Sequence, residues 1–212
     1  MIEEIVESRG VKEILHFTTN KGVLGILDSK CVRARKRLDN DARLEYIFTP
    51  NAALRTRDKA WLDYVNLSVS RLNTEFFSVS ARQWHAYKDF WWCVLAFSPE
   101  ILSHEGVWFT TTNNIYTGVR RETGGVGLEG MFAREVVRWN ANIVRRNDSM
   151  PRNFTTCEQA EVLYPGEILT KYLEHIYVAN DEVADELAGQ MSAVMHPELD
   201  IKIAPELFSA IN

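Results

Sequence analysis

The chain has 212 residues, 46% of them hydrophobic and 25% charged, with a formal net charge of −5. That length fits one domain, read here over 1–212, and suffices to bury a core without a disulfide or metal staple; the composition excludes a disordered chain, and no apolar run approaches the roughly 18–20 residues that a membrane-spanning helix needs. Cys31, Cys93 and Cys157 are too few and too scattered for a Cys-rich zinc site and fit a reducing, cytoplasmic compartment, while the acidic start MIEEIVESRG lacks the apolar centre of a signal peptide.

In chain order, residues 1–8 and 21–29 read as helices, with Leu15-His16-Phe17 between them as a short buried strand. Residues 31–62 are rich in Arg, Asp and Asn without a clean period, the mark of a long functional or mobile loop. Tyr64 to Ser70 alternates apolar and polar, as a half-buried strand does, and 76–80 leads into another element. Trp91 to Phe97 is continuously apolar and closed by Ser98-Pro99, which predicts a central strand buried on both faces. Residues 107–110 predict a further strand, with 111–114 as its turn. Residues 117–130 hold five of the eleven glycines, which predicts a flexible loop, and 131–146 then has helical spacing. Strands follow at 160–164, ended by Pro165-Gly166, and at 173–178. An acidic amphipathic helix over 181–195 is capped by Asn180 or Asp181, and 201–203 forms a last edge strand. Strands and helices intermingle without regular alternation, so the fold class is α+β.

The acidic total argues at first against a nucleic-acid partner, but the charge is unevenly placed. Glu174, Asp181, Glu182, Asp185, Glu186, Glu198, Asp200 and Glu206 crowd into 174–206 with Lys202 as their only basic companion, leaving the rest of the chain net basic. That remainder has two basic stretches, 33–59 and 120–152, the second built from Arg alone. Guanidinium groups suit bidentate phosphate recognition, although each cluster alone is also an ordinary solvated surface.

Gly125-x-Gly127-x-x-Gly130 matches the dinucleotide-binding fingerprint in letters, but no strand directly precedes it and no βαβ unit surrounds it, so it reads as a substrate loop. The five histidines show no helical pairing, no metal site is expected, and no nucleophile motif is present. Glu161 shares a strand face with Leu163, opposite Ala160 and Val162, so its carboxylate lies on a solvated face or lines a cleft. His16, between Leu15 and Phe17, is a satisfied core histidine or a site residue.

These pieces together resemble the DarT family of DNA ADP-ribosyltransferase toxins. His16-Phe17-Thr18 and the helix from Gly22 to Leu27 are similar to the family's His-x-Thr and following helix, with Gly22 where the family often has Asn. Asp63-Tyr64-Val65-Asn66-Leu67-Ser68 is similar to its Asp-Tyr-Val-Pro-Phe strand, with Asn66 for Pro. Gln159-Ala160-Glu161-Val162-Leu163 is close to its Gln-Ala-Glu-Phe-Leu, and Phe109 to Asn113 is similar to a Phe-Thr-Asp-Gly-Asn turn. The ordered set spans roughly 11–180 and marks a divergent branch.

The resemblance implies an ADP-ribosyltransferase-like fold, two small packed β-sheets with flanking helices around an NAD cleft. It implies transfer of ADP-ribose from NAD to a base of single-stranded DNA, in a toxin–antitoxin or phage-defence setting, with a macrodomain antitoxin as partner. RNA or protein acceptors and a non-catalytic binding module are the alternatives. Glu161 is then the catalytic carboxylate, facing an oxocarbenium-like transition state. His16 and Thr18 hold the ribose and nicotinamide side, and Tyr64 stacks there or is only core. The pyrophosphate arginine is sought among Arg55, Arg57 and Arg43. Arg120, Arg121 and Arg134 belong to the substrate loop, and Trp84, Tyr87 and Tyr116 are candidates for base stacking or for core packing.

Overall fold

The computed structural model describes residues 1–38, 60–84 and 90–209, without the side chains of 83 and 84. Helix α1 (Ile2–Arg9) ends on Gly10, at φ 69°, where the left-handed backbone suits glycine. Strand β1 (Ile14–Thr19) runs straight into α2 (Asn20–Ser29), because Thr19 turns its hydroxyl to accept the Gly22 N–H at 3.2 Å and so caps the helix. Short β2 (Cys31–Arg33) and α3 (Arg35–Leu38) follow, then β3 (Tyr64–Val69) and α4 (Thr74–Val79), which Asn73 caps through the Phe76 N–H. Next come β4 (Trp92–Phe97), β5 (Trp108–Thr110), β6 (Arg121–Thr123), α5 (Gly124–Gly130), β7 (Glu135–Val137) and β8 (Ile143–Arg145). The chain closes with β9 (Val162–Pro165), β10 (Glu167–Leu169), β11 (Leu173–Val178), α6 (Asp181–Ala193) and β12 (Asp200–Ile203).

The main sheet has the order β12-β11-β4-β1-β3-β9-β5-β6 and is antiparallel except between β11 and β12. Every β4 residue is buried, as a continuously apolar strand requires. Cys93, Leu95 and Phe97 face a core with Val23 and Leu27 of α2 and Leu187 and Met191 of α6, while Trp92, Val94 and Ala96 pack with Phe77 and Phe208. Two short ribbons, β2–β10 and β7–β8, lie outside this sheet.

One irregularity of pairing creates the site. β1 pairs β4 along its whole length, but meets β3 only at Ile14↔Val69 and Leu15↔Ser68. Beyond Leu15 the strands separate, and Tyr64 to Leu67 of β3 pairs with β9 instead. The sheet is therefore two halves, β12-β11-β4-β1 and β3-β9-β5-β6, joined at two residue pairs and splayed apart beyond them. The expected α+β fold is thus built on one large sheet split along this seam, with two small ribbons beside it, where the resemblance implies two small packed sheets.

Two elements differ from the sequence reading. Residues 131–146 form the β7–β8 hairpin and not a helix. Glu135 and Val137 are exposed and Val136 is buried, a period of two that the flanking arginines mask. Of the glycine-rich 117–130 stretch, read from sequence as a flexible loop, residues 121–130 form strand β6 and helix α5. A Cβ at Gly127 would stand 2.3 Å from the Glu122 carbonyl oxygen, so this glycine serves close packing of the helix on the strand before it. A strand does precede the fingerprint, but β6 is an antiparallel edge, not the first strand of a βαβ unit.

No helix among the described residues is long and apolar enough to cross a membrane. Cys31, Cys93 and Cys157 are free and 4%, 0% and 1% exposed, and burial pushes the Cys93 thiol up. The folded protein is expected to leave all of them unmodified by Ellman's reagent, with reaction appearing only as denaturant unfolds it. A thiol that reacts at once in buffer contradicts this packing.

Candidate active site

Glu161 stands one residue before β9, and its backbone is clamped by Thr110. The Thr110 N–H donates to the Glu161 carbonyl at 2.9 Å, and the Thr110 hydroxyl accepts the Glu161 N–H at 3.0 Å. The residue is only 9% exposed, yet it lines the pocket between the splayed strands. The cleft is thus the correct reading of its position, not a solvated face. A carboxylate removed from water needs hydrogen bonds to replace it. Asn66 Nδ2 donates to Oε1 at 3.1 Å, and the Asn114 backbone N–H donates to Oε2 at 2.7 Å.

Each of these donors is itself held. The Asn66 carbonyl lies 3.0 Å from His16 Nδ1; a carbonyl oxygen only accepts, so Nδ1 carries the proton. This bond crosses the gap between the two half-sheets. Asn114 is gripped by Arg121, whose Nε donates to Oδ1 at 2.6 Å and whose Nη2 donates to the Asn114 carbonyl. Arg121 also lies over the Trp61 ring at 5.6 Å, and Trp61 packs on Tyr64 and Trp108 at 5.0 and 5.7 Å.

The pocket runs from Glu161 along β1, α2 and β3 to the start of α3. It brings His16, Thr18, Tyr64 and Glu161 together, as expected. A Cβ at Gly22 would come 2.1 Å from Thr18 Oγ1, so glycine is what lets Thr18 stand against the first turn of α2. Arg43, Arg55 and Arg57, together with Tyr87 and the Trp84 side chain, lie outside the described residues. Among the described residues, Arg33 and Arg35 of the same basic stretch line the pocket. Arg33 lies 3.7 Å from Glu167; Arg35 has no carboxylate ion-pair partner among the described residues. Arg37 anchors that turn through Asp63 at 2.8 Å and holds the Asp63 carboxyl below its ordinary range.

Of the substrate-loop arginines, Arg120 and Arg134 are exposed and do not line the pocket, while half-buried Arg121 braces Asn114. Asn66 and Asn114 were also missed as site residues, because a lone Asn in a strand or turn carries no distinctive pattern. No group of three or more His, Cys, Asp or Glu among the described residues is arranged to hold a metal ion.

The family model described as ssDNA thymidine ADP-ribosyltransferase, DarT, matches residues 15–209. The chain belongs to the DarT family. Its enzymes are NAD-dependent ADP-ribosyltransferases acting on single-stranded DNA. The DarT of Thermus sp. 2.9 in complex with ADP-ribosylated ssDNA is similar in fold, with a TM-score of 0.66 at 16% identity over 93% of this chain and 96% of that one. The same Thermus DarT in complex with NAD+ gives 0.64 at 15% identity over 92% and 96%. Thermosipho africanus DarTG in complex with ADP-ribose gives 0.63 at 16% identity, covering 93% of this chain and 51% of that one. No curated protein sequence matches the chain. Identity this low is consistent with the divergent motifs, and DarT membership gives the Asn66–Glu161 contact a chemical setting.

A hydrogen bond to a charged group contributes about 1.5–3 kcal/mol. Asn66→Ala is therefore expected to lower kcat for ADP-ribosyl transfer by about 10- to 100-fold, with the KM for NAD within about twofold and a melting temperature lowered by several degrees in a protein that still folds. Steady-state kinetics check it; a wild-type kcat removes Asn66 from the support of Glu161.

Proposed function

We propose that Glu161 is the catalytic carboxylate with which this chain moves ADP-ribose from NAD to a thymidine of single-stranded DNA, releasing nicotinamide. The buried carboxylate at the mouth of the strand split, held by two donors on a rigid frame, is the observation that carries the reading. NAD supplies the glycosidic bond whose cleavage makes the anomeric carbon electrophilic. Glu161 accepts a hydrogen bond from a ribose hydroxyl and stabilises the positive charge as it develops; being already oriented, it costs no reorganisation. It then takes the proton from the attacking base nitrogen. The free ring nitrogen of thymine carries the hydrogen used in base pairing, so a duplex hides it and a single strand presents it.

His16 and Thr18 hold the nicotinamide ribose, Tyr64 packs beside it, and Arg33 and Arg35 offer guanidinium groups to the pyrophosphate, alongside Arg43, Arg55 or Arg57. Arg120 and Arg134 meet the DNA backbone, and Arg121 acts through Asn114. We read the chain as one cytoplasmic domain and as a toxin neutralised by a macrodomain antitoxin; family resemblance supports that setting.

Incubation with labelled NAD and four acceptors of matched sequence tests the reading: single-stranded DNA, the same strand without thymine, RNA and a bystander protein. Label is expected on the thymine-containing single strand alone. Glu161→Gln is expected to fold normally and to lose at least about a thousandfold in transfer, an electrostatic contribution of about 4 kcal/mol. Label on RNA or protein alone redirects the substrate, and full activity of the variant removes Glu161 from the mechanism.

A further inference from the structure

The β7–β8 hairpin leaves a contiguous apolar surface uncovered. Val137 and Ile143 pair across it and are 41% and 42% exposed, Trp139 at its end is 49% exposed, and Ile115 from the preceding segment is 37% exposed. The Tyr116 ring packs on Trp139 at 5.5 Å, and a Cβ at Gly118 would touch Val137 at 3.4 Å, so the 115–118 segment and the hairpin form one surface. Trp139 is not on a loose tip. Asn140 and Ala141 are both left-handed, at φ 55° and 60°, the tight two-residue turn that matches strand twist; the Asn142 N–H closes it on the Trp139 carbonyl at 3.2 Å, and the Arg138 N–H donates to the Asn142 carbonyl at 2.6 Å. Large apolar side chains exposed together mark an interaction surface.

We infer that Trp139 and Tyr116 form a stacking platform for a base of the single-stranded DNA that flanks the modified nucleotide. The inference rests on the proposed DNA reading and adds a second contact to it. Two observations select nucleic acid as the occupant. Two exposed arginines flank these segments in the chain, Arg120 two residues beyond Gly118 and Arg134 just before β7, and neither has a carboxylate ion-pair partner among the described residues, whereas Arg145 is paired with Glu135 at 2.7 Å. Flat aromatic faces set among arginines suit the alternation of base and phosphate along a strand. The surface is also continuous with the site: Asn114 donates to Glu161 and Tyr116 packs on Trp139, two residues and at most about 7 Å of backbone apart. A strand whose target base reaches Glu161 therefore runs onto Trp139 within a few nucleotides.

The test compares wild type, Trp139→Ala and Trp139→Phe on a dodecanucleotide with one central thymine, on the same strand with an abasic residue at each flanking position in turn, and on a trinucleotide. Trp139→Ala is expected to raise the KM for the dodecanucleotide about tenfold. Its kcat, its KM for NAD and its trinucleotide kinetics stay within about twofold, and Trp139→Phe restores most of the loss. In wild type, abasic substitution at one or two flanking positions is expected to weaken binding, and Trp139→Ala erases that penalty. An unchanged dodecanucleotide KM in Trp139→Ala overturns the platform while leaving the DNA reading intact. So does a change confined to the oligomeric state, which makes the patch a self-association surface. Wild-type protein that modifies no DNA overturns the underlying reading instead. If Trp139→Ala fails to fold, Tyr116→Leu with the same acceptors decides between these results.

Discussion

A carboxylate sits in the seam where one β-sheet comes apart, and much of the described structure serves to keep it there. Burying an ion costs several kcal/mol unless polar partners replace the lost water. Glu161 has those partners from two directions, Asn66 on β3 and the backbone of Asn114 after β5. Thr110 clamps its main chain, Arg121 fixes the turn that carries Asn114, and His16 ties Asn66 to the opposite half-sheet. Because these groups come from strands and turns that are themselves paired or packed, the carboxylate is presented in one orientation before any ligand arrives.

The strands splay for a reason visible in the register. β1 is committed to β4 over six pairs and β3 to β9 over four, and only two pairs join β1 to β3. With β1 and β3 each held on the far side, the shared edge opens from His16 and Leu67 outward. That opening leaves polar groups facing a cleft instead of a ladder, which is why His16, Thr18 and Asn66 belong to a pocket and Ile14 and Val69 to the core.

Much of this was legible in the sequence. Strands β1, β3, β4, β9 and β11 announced themselves by apolar runs or alternation, and the placement of Glu161 inside an apolar stretch marked it as unusual before its partners were known. Residues 131–146 were not legible, because Arg134, Arg138, Arg145 and Arg146 fall at spacings that imitate a helix while the deciding signal, Val136 in and Val137 out, spans two residues. The glycines of 124–130 looked like flexibility, and their use as a packing surface depends on a backbone oxygen at Glu122 that no local pattern encodes. The roles of Asn66 and Asn114 depend on long-range pairing of β3, β5 and β9. The net charge of −5 also proved a poor guide. Most of the acidic residues belong to β11, α6 and β12 at one edge of the sheet, whereas Glu161 precedes β9, toward the other. Binding to DNA then depends on local contacts more than on bulk attraction.

The central claim is that the seam between β1 and β3, with Glu161 at its mouth, is where NAD binds. Hydrogen–deuterium exchange on the Glu161→Gln protein, which is expected to hold NAD without turnover, addresses it directly. The account predicts that NAD slows exchange in peptides covering Phe17 to Gly25 and Tyr64 to Leu67. Protection confined to the glycine-rich Gly124–Gly130 helix, with those two segments unchanged, would contradict it.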